Sequence, residues 1–162
     1  MDTTYTSKEI IEMAIQAKEK GVELYMALAR NSENYHVSQL FAEFAKDEEH
    51  HKLELKKWIE EFDVKRQEEA YPGEKALYLK AMVDAHAFNC DTVQKQLLGT
   101  TVSEEAALQA GITFEKDFML FLHELKQHLA ADEDAQTIDA LLDDEARHLR
   151  EMFNLKEKVD GK

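Results

Sequence analysis

The chain is poor in the residues that punctuate or cross-link a fold. Its 162 residues include one cysteine, one proline and five glycines. A single thiol, Cys90, excludes an internal disulfide framework. It also excludes zinc or iron sites built on several thiolates. So little proline and glycine leaves few turns for a sheet protein. Basic residues are scarce too: 20 Lys and Arg face 34 Asp and Glu, for a net charge of −14. Such a surface offers no basic footprint for nucleic acid and no basic patch for anionic lipid. No run approaches 18 apolar residues, so no membrane span is expected. The start, Met1-Asp2-Thr3-Thr4-Tyr5, lacks the basic and apolar regions of a signal peptide. The expected compartment is the cytoplasm, without nucleic-acid or membrane partners.

What the chain does contain is helical periodicity. Hydrophobic residues make up 44% of it, and long stretches repeat them every three or four positions. The spacing predicts an all-α protein with four long helices at about 7–30, 37–64, 103–129 and 134–157, forming a single domain over 1–162. Thr6 with Glu9, and Thr101 with Glu104, have capping-box spacing. Few residues separate helices 1 and 2, or helices 3 and 4, so each pair forms an antiparallel hairpin. The crossover at about 65–102 contains the Tyr71-Pro72-Gly73 turn. After it comes an amphipathic stretch (Ala76, Leu77, Leu79, Met82, Ala85) that predicts a short helix. Two hairpins joined by one long crossover are the ferritin-like layout of a four-helix bundle.

The halves repeat. Asp47-Glu48-x-x-His51 recurs 97 residues later as Asp144-Glu145-x-x-His148. The same offset carries Ile15 onto Ile112, Leu28 onto Leu125, Phe44 onto Leu141 and Lys18 onto Glu115. A duplicated helix pair has this signature.

Each apolar stripe is interrupted near mid-helix by polar residues. Lys18 interrupts the stripe Ile11, Ala14, Val22, Tyr25, Leu28. Glu48 and His51 interrupt Phe41, Phe44, Leu55, Trp58, Phe62. Glu115 interrupts Leu108, Ile112, Met119, Leu122, Leu125, and Glu145 with His148 interrupts Ile138, Leu141, Leu142, Met152. All six polar residues are expected to face the bundle interior. Residues three apart share a helix face, so Glu-x-x-His aims a carboxylate and an imidazole at one point. Two such helices and a third carboxylate make a site for iron, manganese or zinc. Buried carboxylates must be paired, protonated or metal-bound, so a metal-free Glu–His–Lys network is the alternative. Composition alone yields about one Glu-x-x-His, and the chain has three. The third, Glu33 with His36, falls at a helix end and reads as surface.

These motifs resemble the rubrerythrin-type di-iron carboxylate proteins of the ferritin-like superfamily, in the short form without a rubredoxin domain. The segments that carry the resemblance are Ala14 to Tyr25, Phe41 to His51, Phe114 to Asp117, and Asp144 to Leu149. In that family each helix pair supplies a Glu from its first helix and Glu-x-x-His from its second. The resemblance implies that Glu48 and Glu145 bridge two metals, Glu115 and His148 hold one of them, and His51 faces the other. It also implies that Tyr25 hydrogen-bonds near the metal, for which a plain core tyrosine is the alternative. Two residues depart from the pattern. The helix 1 ligand falls on Lys18, while Glu19 next to it is rotated by about 100°. The second helix 3 carboxylate of many rubrerythrins is Phe118. Three carboxylates and one lysine leave two negative charges, which one divalent ion neutralises. Either Lys18 stands in for a second metal, or it snorkels out of the bundle and a weak second site survives.

The resemblance implies an oxidoreductase that reduces peroxide or activates dioxygen, using iron (one or two ions) and an external electron donor, in a homodimer. Without the second helix 3 carboxylate, a metal-binding, storage or sensing module without turnover is the alternative, beside the metal-free bundle. The remaining candidates have plainer readings. His50 is expected in solvent, His123 and His128 on the surface or satisfied, and Cys90 as an incidental thiol. Phe114, Phe118, Met119 and Phe121 read as core or a dimer face. Asp132, Glu133 and Asp134 read as a solvated helix start.

Overall fold

Helices begin where a side chain can accept the amide protons that a first turn leaves free. The computed structural model describes residues 5–65, 70–71, 73–84, 100–127 and 132–161. The first helix, α1, spans Ser7–Asn31 and opens on a complete capping box. Thr6 accepts from the Glu9 amide, and the Glu9 carboxylate accepts from the Thr6 amide at 2.7 Å. The second, α2, spans Tyr35–Lys65. Asn34 caps it, its side-chain oxygen accepting from the amides of His36 and Val37. A short α3 spans Gly73–Asp84 within the crossover. Then come α4, Glu104–Gln127, and α5, Asp132–Asp160.

The start of α4 corrects one expectation. Thr101 does not cap it. The Ser103 hydroxyl accepts from the Ala106 amide at 3.2 Å, and the Glu104 carboxylate instead accepts from the Asn34 side chain at 2.5 Å. That bond ties the entry of α4 to the α1–α2 loop. Val102 adds to the tie by donating to the Asn31 carbonyl at 2.9 Å.

The architecture is a ferritin-like bundle. Helix α1 packs along α2, α4 packs along α5, and α3 lies against α1 and α4. Two-residue strands, β1 at Tyr5–Thr6 and β2 at Ala70–Tyr71, pair antiparallel and pin the crossover to the start of α1. Cys90, His128 and Pro72 lie outside the described residues. Among the described residues, no helix is long and apolar enough to cross a membrane.

The stripes pack inward as helical periodicity requires. Tyr25, Phe41, Phe44, Phe114, Phe118 and Phe121 are buried, and Met119 packs against them. Tyr25 stacks on Phe41 and meets Phe44 and Phe114 edge-on, at centroid distances of 5.5 to 5.7 Å. Gly21 makes this closeness possible. A Cβ there would stand 2.7 Å from Phe114 and 2.8 Å from a Glu48 oxygen, so only glycine lets both reach the α1 backbone. Asp134 corrects another expectation. It is 7% exposed rather than solvated, because the Trp58 indole on α2 reaches across and donates to it at 3.1 Å.

Candidate metal centre

The polar interruptions of the four stripes converge in mid-bundle. Glu48 comes from α2, Glu115 from α4, and Glu145 with His148 from α5. Each is buried, and one donor atom from each lies within 4.8 Å of all the others. The i,i+3 spacing on α5 puts His148 Nδ1 3.4 Å from Glu145 Oε2. It also lies 3.0 Å from Glu115 Oε1. Tyr25 donates to the same Glu115 oxygen at 2.5 Å, so its ring packs in the core while its hydroxyl holds a carboxylate. Phe44 stacks on the His148 imidazole at 4.1 Å.

His51 stands apart from those four. Its Nδ1 lies 3.3 Å from Glu145 Oε1 and 3.6 Å from Glu48 Oε1. It shares both oxygens with Lys18, whose ammonium donates to Glu48 Oε1 at 2.9 Å and to Glu145 Oε1. Lys18 is fully buried and does not reach the surface. Glu33 and His36 are exposed, as are His50 and His123.

Three participants escaped the motif analysis. His148 Nε2 lies 3.1 Å from Asp47 Oδ2, and His51 Nε2 lies 3.1 Å from Asp144 Oδ2. Each half's aspartate thus holds the other half's histidine. Arg147 clamps Asp47 at 2.8 Å and Glu151 at 2.9 Å. The signal for the aspartates was present, since both Glu-x-x-His motifs follow Asp. A carboxylate on the outer nitrogen fixes the ring orientation and turns Nδ1 toward the centre, as in histidines that bind metals.

The centre is electrostatically tense. Burial and the Glu145 charge push Glu115 up to about 8. Burial would raise Glu145 as well. The Lys18 ammonium and the His148 and His51 imidazoles beside it outweigh that and hold it well below the usual carboxylate range. Burial lowers both histidines, but the glutamates beside them reverse the direction and lift each to about 10. Burial, with the Glu115 charge beside it, raises the Tyr25 hydroxyl well above its ordinary value. Without a metal, protons and Lys18 neutralise the buried glutamates.

The donor set fits a metal ion. Three carboxylates and an imidazole are hard and borderline ligands suited to iron, manganese or zinc. Glu115 Oε2 and Glu145 Oε2 are buried without a hydrogen-bond partner among the described residues. Buried polar atoms are rarely left so, and a cation between them would satisfy both.

The sequence model of the Rubrerythrin family matches residues 9–156. The chain belongs to the rubrerythrin family. Its fold is similar to a crystal structure of a protein proposed to be a ferritin-like diiron-carboxylate protein of Thermotoga maritima. The TM-score is 0.73 and the identity 20%, with 98% of this chain and 99% of that chain covered. No curated protein matches in sequence. Lys18 and Phe118, where the resemblance leads one to expect carboxylates, meet in space. The ammonium lies 3.9 Å from the Phe118 ring centroid.

A metal must displace the protons on Glu115 and His148, so affinity should rise with pH through the neutral range. The expected slope is about tenfold per pH unit for each proton displaced. The metal-free protein should respond oppositely. His51, His148 and Glu115 all bind protons more tightly when folded, so their stabilisation is complete below the unfolded values of 6.5 and 4.5. It is lost as pH rises through about 8 for Glu115 and about 10 for the histidines. Melting curves from pH 6 to 10, with chelator and with excess metal, should therefore diverge. Parallel curves would contradict this linkage.

Proposed function

We propose that this chain is a non-haem metal-binding rubrerythrin that handles peroxide or dioxygen with electrons from an external donor. Glu48, Glu115, Glu145 and His148 would hold the ion, with iron favoured and manganese or zinc accommodated by the same donors. The observation that carries the reading is the convergence of four buried donor atoms within 4.8 Å, Glu115 and Glu145 each having an oxygen without a hydrogen-bond partner among the described residues. Bound iron would supply the change of oxidation state. The chain's own residues would orient and insulate it: Tyr25 and His148 hold Glu115, Asp47 holds His148, and the Phe41, Phe44 and Phe114 cluster excludes water. A chain with one cysteine has no thiolate cluster to deliver electrons, hence the external donor.

A second reading, metal binding without turnover, is favoured by Phe118: its ring lies against the Lys18 ammonium at the position where the family resemblance implies a second carboxylate. The test is elemental analysis after anaerobic iron loading, followed by peroxide consumption with a reductant. Metal with consumption supports the first reading, and metal without it supports the second. No metal after loading overturns both. If metal is bound, chelation should lower the melting temperature, because a ligand held only by the native state stabilises it.

A further inference from the structure

The Lys18 ammonium occupies the ground that a second ion would need. It lies 2.9 Å from Oε1 and 2.8 Å from Oε2 of Glu48, astride that carboxylate. It also donates to Glu145 Oε1. These are the two carboxylates that the family resemblance implies a metal pair would share, and two-metal sites space their ions about 3.5–4 Å apart. The Phe118 ring closes the remaining side at 3.9 Å, presenting the negative face that attracts a cation. An ammonium has three protons and no acceptor. Here Glu48, Glu145 and the ring surround it, with no exposed surface left.

The two departures from the family pattern are therefore one device. A glutamate in place of Phe118 would carry another charge into the same space, whereas the ring seats the ammonium. The internal repeat points the same way: the 97-residue offset that pairs the Glu-x-x-His motifs sets Lys18 against Glu115. One half of the site offers a carboxylate to a metal, and the other offers a cation of its own.

We infer that Lys18, seated on Phe118, is a built-in cation that replaces the second metal, so that this rubrerythrin holds one divalent ion, at Glu48, Glu115, Glu145 and His148. The inference rests on the metal-binding reading above. With His148 neutral as a ligand and His51 paired with Asp144, three carboxylates and one ammonium leave two negative charges, which one divalent ion cancels. His51 then remains beside the ammonium, held by Asp144.

The test is anaerobic titration of the full chain with manganese(II), read by elemental analysis after desalting and by electron paramagnetic resonance. The wild-type chain should take one equivalent and show the six-line signal of an isolated ion. K18E should take two equivalents and show an exchange-coupled pair. K18A, which brings no charge into the bundle, keeps the test open if K18E does not fold, and should take a second, weaker equivalent. Two equivalents in the wild type overturn the inference and leave the metal-binding reading standing. So does a folded K18E or K18A chain that stops at one. No manganese in any of the three chains overturns the metal-binding reading and this inference with it.

Discussion

Replacing Lys18 with methionine should destabilise the metal-free protein by about 3–5 kcal/mol, the usual loss when one partner of a buried ion pair is removed. Methionine nearly keeps the volume and the apolar stem, so the loss reports charge rather than a cavity. Glu48 and Glu145 would face each other without their shared cation, inside a bundle where both are fully buried. At roughly 2–4 °C per kcal/mol for a chain of this size, the melting temperature in chelator should drop by about 6–20 °C. Excess manganese should recover part of the drop, because added positive charge replaces what was removed. A variant that melts with the wild type in chelator would show that the ammonium is not what balances these carboxylates.

Phe44 to alanine should be similarly damaging, for a different reason. Truncating a buried phenylalanine costs about 3–5 kcal/mol through lost burial and the cavity left behind. Phe44 also lies against the His148 ring at 4.1 Å and against Tyr25 edge-on. Those contacts fix two groups that converge on Glu115. The variant should therefore lose metal affinity as well as stability. Leu28 to alanine is the control, since Leu28 is equally buried but touches none of the ligands in the contacts described above. It should lower stability and leave affinity within about twofold. Equal affinity losses in the two variants would mean that general loosening, not the stack on His148, governs binding.

The bundle was legible because helical periodicity is a local property, and the centre was legible because polar residues broke the stripes at matching heights. Glu48, Glu115, Glu145 and His148 declared themselves by interrupting otherwise apolar faces. Lys18 was visible as an interruption, but its direction was not. A long side chain at that height can turn inward or outward, and what turns it inward sits on three other helices: Glu48, Glu145 and Phe118. Asp134 was misjudged for a related reason. An acid in a first helical turn is normally solvated, and nothing near it in sequence announces that Trp58 will arrive from α2. The cap of α4 was misplaced because Thr101 and Ser103 both offer hydroxyls, and only the path of the chain from Asn31 to Val102 selects between them.

The exchanged aspartates bear on how the protein reaches its folded state. Asp144 and His51 are 93 residues apart, and Asp47 and His148 are 101. Contacts of such long range carry the largest loop-closure cost, and they slow folding where they dominate. The α1–α2 contacts, bridged by a three-residue turn, can form far earlier. Either hairpin alone has a histidine without its acid and an acid without its histidine. Closure of the centre is thus expected as the last event of assembly, with metal capture following hairpin docking. Reporters on Asp47 or Asp144 should register after those within α1 and α2.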